Sequence, residues 1–218
     1  MTFQTNPSLY AHTVVDAPSD LMGPLGRFGI RMVFAKDEEI YAQEEEADLL
    51  YQVVSGSIRT TRVTSDGRRQ IGDFYHSGDV FGLEKDSVHR FSAEALTDCV
   101  VMVAKRSALE LAAGRDVVER FIAAATWEEL DRAQNHLLLL GRKTAFEKVA
   151  TFLLELSDRT GQPAELSMGR QDMADYLNLT IETVSRMVTQ LQTIGVVQFT
   201  SCRQFTVENR AALERLAG

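Results

Sequence analysis

The sequence predicts an α+β chain with its β structure first and its helices after, and three features carry that expectation. Between residues 30 and 104, short alternating or β-rich runs are separated by glycine turns roughly every ten residues. Residues 117–140 then form an amphipathic run of 24 positions with no Gly or Pro. Beyond residue 169, two short apolar-striped segments flank a three-residue turn and lead into two further β runs. The composition, 44% apolar, 25% charged and 8% aromatic over 218 residues, suffices for more than one core. It excludes a disordered chain, a collagen and a disulfide scaffold.

Residues 1–26 contain Pro7, Pro18, Pro24, Gly23 and Gly26 and are expected to pack weakly or stay disordered. They show no basic head followed by an apolar core, so no signal peptide is visible. The longest apolar runs, 100–104 and 137–140, fall far short of the roughly 18 residues of a membrane span. A cytoplasmic protein is the expectation. Strands are expected at 30–35, 39–41, 49–54, 57–63, 69–74 and 100–103, with turns at Ser55-Gly56, Ser65-Asp66-Gly67, Ser77-Gly78-Asp79 and Gly82. Asp66-Gly67 is the sharpest hairpin signal. Strands this short read as a barrel or jelly roll, and residues 27–115 form a β-roll domain on this reading.

Helical texture starts at residue 106. Residues 107–113 make one or two turns, stopped by Gly114, and Asp116 is placed as the N-cap of the long helix. Residues 116–140 comprise this cap and the helix, whose 24 residues would span about 36 Å at 1.5 Å per residue. Its apolar residues occupy several faces: Val118, Ile122, Ala125 and Ala133 on one, Phe121, Trp127, Leu130, Leu137 and Leu138 around others. One stripe can pack on the β domain while another meets a second helix, which predicts a homodimer with Ile122 in the seam. Gly141 is read as the break that opens a second domain, 141–218, with a helix over 144–157 and a loop over 158–163.

Charge is divided unequally along the chain. Residues 1–141 carry 14 Lys and Arg against 22 Asp and Glu, whereas residues 142–218 carry nine of each. The net −8 therefore resides in the first two thirds. A neutral tail still accommodates a nucleic-acid face when its arginines cluster.

The most informative stretch is GRQDMADYLNLTIETVSRMVTQLQTI, residues 169–194. Residues 170–177 form a short helix with Met173, Ala174 and Leu177 apolar, and Asn178-Leu179-Thr180 is the turn. Thr180 caps a helix over 181–194 whose Val184, Met187, Val188 and Leu191 make one stripe. Glu182, Thr183, Ser185 and Arg186 point the other way. An arginine donates two bonds to a guanine edge, and a carboxylate accepts from a cytosine amino group. Gly195 ends this helix, and β runs at 196–200 and 203–207, joined by Ser201-Cys202, form a wing. The unit is a winged helix-turn-helix, whose second helix enters the major groove.

At these residues the chain resembles the Crp/Fnr superfamily of bacterial transcription regulators, and most closely its FixK branch. The likeness spans about residues 25–218 and rests on DMADYLNLTIETVSRMVTQLQTIGVV, with support from VVSGSIR, SGDVFGLE and HRFSAEAL. It implies a β-roll of the cyclic-nucleotide-binding type, a long dimerisation helix and a C-terminal winged helix. It places the family's E-x-x-S-R motif on Glu182, Ser185 and Arg186 as base-contacting residues, and phosphate contacts at Arg170, Gln171, Thr180 and Thr183. Ile181 and Ser185 follow the Fnr-like pattern, not the cyclic-AMP one. A palindromic operator with TTGA half-sites, of the TTGAT–N4–ATCAA kind, is implied. So is an activator that recruits RNA polymerase at genes of oxygen limitation, respiration or nitrogen fixation.

Departures from the family are equally informative. No cysteine precedes Cys99, so the N-terminal iron–sulfur cluster of Fnr proper has no ligands. Cyclic-AMP binders carry a glutamate directly after a glycine and a loop ending in Arg-Ser. Here Leu83 follows Gly82, Glu84 comes one place late, and Phe91 separates Arg90 from Ser92. No cofactor and no metal are therefore expected. His12, His76, His89 and His136 form no cupin-like His-x-His set, and no active-site constellation suggests an enzyme. Glu44-Glu45-Glu46 reads as a solvated loop. Cys99 reads as a small buried hydrophobe, and Cys202, beside Arg203 at the wing tip, is a candidate redox thiol.

Overall fold

The computed structural model describes residues 23–65, 67–84 and 87–218. Two four-stranded antiparallel sheets make up the N-terminal half. One has the order β1 (Ile30–Phe34), β8 (Cys99–Lys105), β3 (Leu49–Ser55), β6 (Val80–Phe81). The other has the order β2 (Glu39–Tyr41), β7 (Ser92–Ala95), β4 (Ile58–Val63), β5 (Arg69–Tyr75). Phe34, Tyr41, Val53, Ile58, Phe81, Ala93 and Val101, drawn from both sheets, share one core. Period-2 alternation explains why β8 reads as an unbroken apolar run. Cys99, Val101 and Val103 face that core, while Met102 packs with Leu50 and Val80 on the opposite side. There α1 (Gly23–Phe28), α2 (Arg106–Ala113) and α3 (Arg115–Arg142) cover the sheet through Leu25, Leu109, Val118 and Ala125. Gly56 is irreplaceable on geometric grounds: its φ is +89°, and an added Cβ would stand 2.6 Å from the Asp98 carbonyl oxygen.

The C-terminal half comprises α4 (Ala145–Thr160), α5 (Arg170–Leu177), α6 (Ile181–Thr193), α7 (Arg210–Ala217) and a three-stranded sheet. That sheet has the order β10 (Val197–Ser201), β11 (Gln204–Val207), β9 (Ala164–Glu165). Leu153, Met173, Leu177, Val184, Leu191, Val197, Phe205 and Leu213 form its core. A reciprocal capping box starts α4: the Thr144 N–H donates to the Glu147 carboxylate at 2.6 Å, and the Glu147 N–H donates to Thr144 Oγ1 at 3.3 Å. Ile71 and Phe74 of β5 and Leu139 of α3 join this same core, so hydrophobic packing is continuous across the two halves.

Several local expectations are corrected. Residues 1–22, most of the expected tail, lie outside the described residues, but Gly23–Phe28 is helical and buries Leu25 completely. Asp116 is not the N-cap of the long helix. Gly114 takes that position with φ +88°, and Asp116 sits in the first turn, where its charge suits the helix dipole. Gly141 does not break the helix, which continues to Arg142, because the chain becomes extended only at Lys143, ahead of the Thr144 cap. The helix read as 144–157 runs on to Thr160. Ile122 is half-buried and packs beside the cluster of Val118 and Leu109. The wing turn is Cys202-Arg203, one residue later than read, since Ser201 pairs with Gln204. Residue 66 of the hairpin turn lies outside the described residues, but its strands pair from Ile58↔Tyr75 to Val63↔Arg69. β6, β7, β9 and α7 are additional elements.

Within the β-roll, His76 places Nδ1 3.1 Å from Ser57 Oγ, and burial, aided by the Arg159 charge, lowers its pKa to about 4. The imidazole is therefore neutral in the folded chain while its unfolded counterpart binds a proton below the ordinary value near 6.5. The unfolded state binds more protons between those two values, so this residue's contribution to stability falls as pH drops from about 6.5 to about 4. That contribution is up to about 3 kcal/mol. Urea denaturation across this range should show a flatter profile for His76→Gln than for wild type; parallel profiles would exclude His76 as the titrating group.

Candidate nucleic-acid interface

Helix α5 begins at Gly169, whose N–H donates to Asp172 Oδ2 at 3.2 Å. It ends at Asn178, which adopts the left-handed conformation at φ +51° and turns the chain. Two residues later Thr180 opens α6: the Thr183 N–H donates to Thr180 Oγ1 at 3.2 Å, and the two hydroxyls lie 3.1 Å apart. Val184, Met187, Val188 and Leu191 are buried against α4 and α5, as the stripe predicts. Glu182, Ser185 and Arg186 are consequently exposed along the other side of the N-terminal half of α6. The Glu182 carboxyl is held below the usual carboxylate range by its own backbone N–H and the Thr180 hydroxyl. It is an ionised acceptor at neutral pH.

The four residues assigned to phosphates divide. Thr180 and Gln171 are exposed and Thr183 half-exposed, with the Gln171 amide donating to Asp175 Oδ1 at 2.7 Å. Arg170 is half-buried. Its guanidinium lies 4.8 Å above the Phe199 ring of the wing and donates to the Met173 sulfur at 3.4 Å, so it also ties the wing to α5. Burial lowers its pKa, opposed by the nearby Cys202 thiol. Cys202 is exposed at the wing tip, but Arg203, its sequence neighbour, donates to the Ser167 carbonyl. Cys99 is buried in the β-roll core.

Nothing local in the sequence announces the groups that hold α5 from behind. Arg59 of β4 and Arg69 of β5 bind Asp172, and Arg69 also binds Asp175, at 2.6 to 2.9 Å. Partners more than 100 positions apart leave no spacing signal. Tyr176 of α5 stacks on His136 of α3 at 3.9 Å between centroids.

Between the β-roll, α3 and α5 lies a cavity of about 440 Å³, lined by Asp73, Glu84, Arg90, Glu129, Arg132 and Tyr176 among others. Arg90 thus reaches the cavity despite its displaced sequence position, while Ser92 turns away to accept from the Gln43 N–H at 2.9 Å. Burial raises the Glu129 pKa; burial also pushes Glu84 upward, but the His89 ring, 3.3 Å from its carboxylate, and nearby backbone N–H groups hold it low. Among the described residues no group of three His, Cys, Asp or Glu is placed to hold a metal ion, and no helix is long and apolar enough to cross a membrane.

A β-roll joined through a long helix to a winged helix-turn-helix with an open polar face on its second helix defines a sequence-specific DNA-binding regulator. Comparison with known proteins specifies the kind. Residues 31–116 match the cyclic nucleotide-binding domain family and residues 147–216 the Crp-like helix-turn-helix domain family. The chain is 46% identical over 199 residues to the nitrogen fixation regulation protein FixK of Azorhizobium caulinodans, covering 86% of this chain and 79% of that one. It is 40% identical over 201 residues to FixK of Rhizobium meliloti, covering 89% and 92%. The solved structure of FixK2 from Bradyrhizobium japonicum superimposes with a TM-score of 0.82 at 49% identity, covering 87% of this chain and 98% of that one. The chain belongs to the Crp/Fnr superfamily of transcription regulators, in its FixK-like branch.

The Thr180 hydroxyl satisfies an otherwise orphaned N–H at the start of the second helix. Thr180→Ala should reduce stability by about 1 kcal/mol, read as a lower urea midpoint at unchanged slope. No change in midpoint would show that the cap contributes nothing.

Proposed function

We propose that this protein is a homodimeric transcription activator that binds a palindromic operator with TTGA-containing half-sites, of the TTGAT–N4–ATCAA kind, and recruits RNA polymerase. Its genes are those of low oxygen, respiration or nitrogen fixation, and it acts without an iron–sulfur cluster or cyclic AMP. The observation that carries the reading is the exposed trio Glu182, Ser185 and Arg186 at the N-terminal half of α6. Arg186 stands one turn beyond Glu182, so both project into one groove. The arginine suits the guanine of TTGA and the carboxylate an opposed cytosine amino group. Arg170, Gln171, Thr180 and Thr183 fix the register through phosphates. The names of the FixK relatives support the nitrogen-fixation assignment. Independence from cyclic AMP is supported by the cavity wall, where Arg132 is already engaged by Asp73 and the Glu84 carboxylate stands beside Arg90, so that wall is poorly furnished for a phosphate.

The test is binding to operator against scrambled DNA at one salt concentration, without added nucleotide. Losing a bidentate contact is worth about 1–3 kcal/mol, and a dimer loses it twice. Arg186→Ala should therefore lower operator affinity about a hundredfold or more, at roughly 1.4 kcal/mol per tenfold, and affinity for scrambled DNA far less. Equal losses on both would make Arg186 a phosphate contact and remove the basis for the half-site.

The dimer reading is supported by the outer face of α3. Trp127, Leu130 and Leu137 are 70%, 42% and 71% exposed, and with Ala123, Gln134 and Gly141 they follow a 4-3-4-3-4 spacing, the seam of a helix pair. Leu130→Asp should yield a monomer by sedimentation and abolish operator binding at concentrations that saturate wild type. A wild-type protein that stays monomeric at micromolar concentration with operator present would refute the homodimer.

A further inference from the structure

The β-roll touches the first helix of the helix-turn-helix in a way that bears on how that helix meets DNA. Helix α5 carries Arg170 and Gln171 toward phosphates, yet Asp172 and Asp175 follow on the same short helix. Two ionised carboxylates that close to a polyanion oppose binding. Each is instead paired from behind with a β-roll arginine, and each divides its oxygens between the β-roll and its own helix end. Asp172 Oδ1 accepts from Arg59 at 2.9 Å and Arg69 at 2.7 Å, while its Oδ2 accepts from the Gly169 N–H. Asp175 Oδ2 accepts from Arg69 Nε and Nη2 at 2.9 and 2.6 Å, while its Oδ1 accepts from the Gln171 amide. The Asp172 and Asp175 side chains are only 9% and 16% exposed, and Arg59 is held on its far side by Glu94. Water therefore screens these pairs poorly.

We propose that Arg59 and Arg69, on the β4–β5 hairpin of the β-roll, are positioning residues for DNA binding: they offset the charge of Asp172 and Asp175 and, through those carboxylates, hold Gln171 and the N-terminus of α5 toward the DNA backbone. On this account the acidic β-roll contributes to affinity without touching DNA. The inference rests on α5 and α6 facing DNA as proposed above.

A double-mutant cycle on the full chain tests it, with fluorescence anisotropy on operator and scrambled duplexes and a melting curve for every variant. Arg69→Gln should weaken binding to both duplexes about tenfold. Adding Asp175→Asn should return affinity to within about threefold of wild type, because the uncompensated charge is gone. Rescue of this kind is not expected from a residue that only supports the fold. Losses that simply add, wild-type affinity for Arg69→Gln, or an unrescued loss with a salt slope reduced as for a direct phosphate contact would each overturn the proposal. Arg59→Gln with Asp172→Asn repeats the cycle at the second bridge and carries the test if Arg69 variants do not fold. Failure of wild type to prefer operator over scrambled DNA would instead strike the functional reading, whereas a normal preference with no coupling strikes this inference alone.

Discussion

One strand holds the molecule together. Tyr75 of β5 enters the core between the two sheets, whereas its neighbour Phe74 enters the core of the C-terminal half. There it stands 5.1 Å from Tyr176 and 6.2 Å from Phe152, centroid to centroid. Consecutive residues of a strand point to opposite sides, so a single segment serves two cores, and a register shift between Ile71 and Phe74 in the pairing with β4 brings both of those into the C-terminal core. Around this contact Arg132 bridges α3 to Asp73, and Arg159 bridges α4 to Asp79. Ion pairs of limited exposure add little net stability but penalise every arrangement that leaves one charge unpaired. The apolar contact supplies attraction, and the pairs select one orientation of the winged helix on the β-roll.

That division of labour reconciles an acidic protein with a polyanionic ligand. The chain carries a net −8, and the C-terminal part balances nine basic against nine acidic residues. Charge count alone predicts weak attraction to DNA. Local arrangement changes the outcome, since Asp158 is bound by Arg210, Glu147 is turned into the α4 cap, and Asp172 and Asp175 are covered by the β-roll. Among the groups left open on the second helix of the motif are Glu182, Ser185 and Arg186. Binding strength then depends on short-range fit, and long-range attraction contributes little.

Legibility in the sequence followed the range of the interactions. The helix-turn-helix was readable because its determinants are local: apolar spacing, Thr180 as cap, and Asn178 at the turn lie within a few positions of one another. Strands bounded by glycine turns were readable for the same reason. The two-residue strands β6 and β9 carry too little pattern, and the Ser92–Ala95 strand alternates over only four residues with alanine as its buried member, a weak strand signal. Gly141 misled because glycine disfavours a helix by only about 1 kcal/mol, which the packing of Leu139 beside it offsets. The Arg59, Arg69, Asp172, Asp175 cluster was invisible, since its halves are separated by more than 100 residues and neither half has a motif.

The outer stripe of α3 also gives the protein an optical property. Trp127 is its only tryptophan, and the indole sits in the middle of that stripe with water over most of its surface. Indole emission shifts to shorter wavelength when water leaves the ring. The colour of the protein's own fluorescence is therefore tied to whether this one stripe is wet or covered, with no contribution from tryptophan anywhere else in the molecule. Any event that covers the stripe becomes visible in unlabelled protein, at concentrations far below those that hydrodynamic methods require.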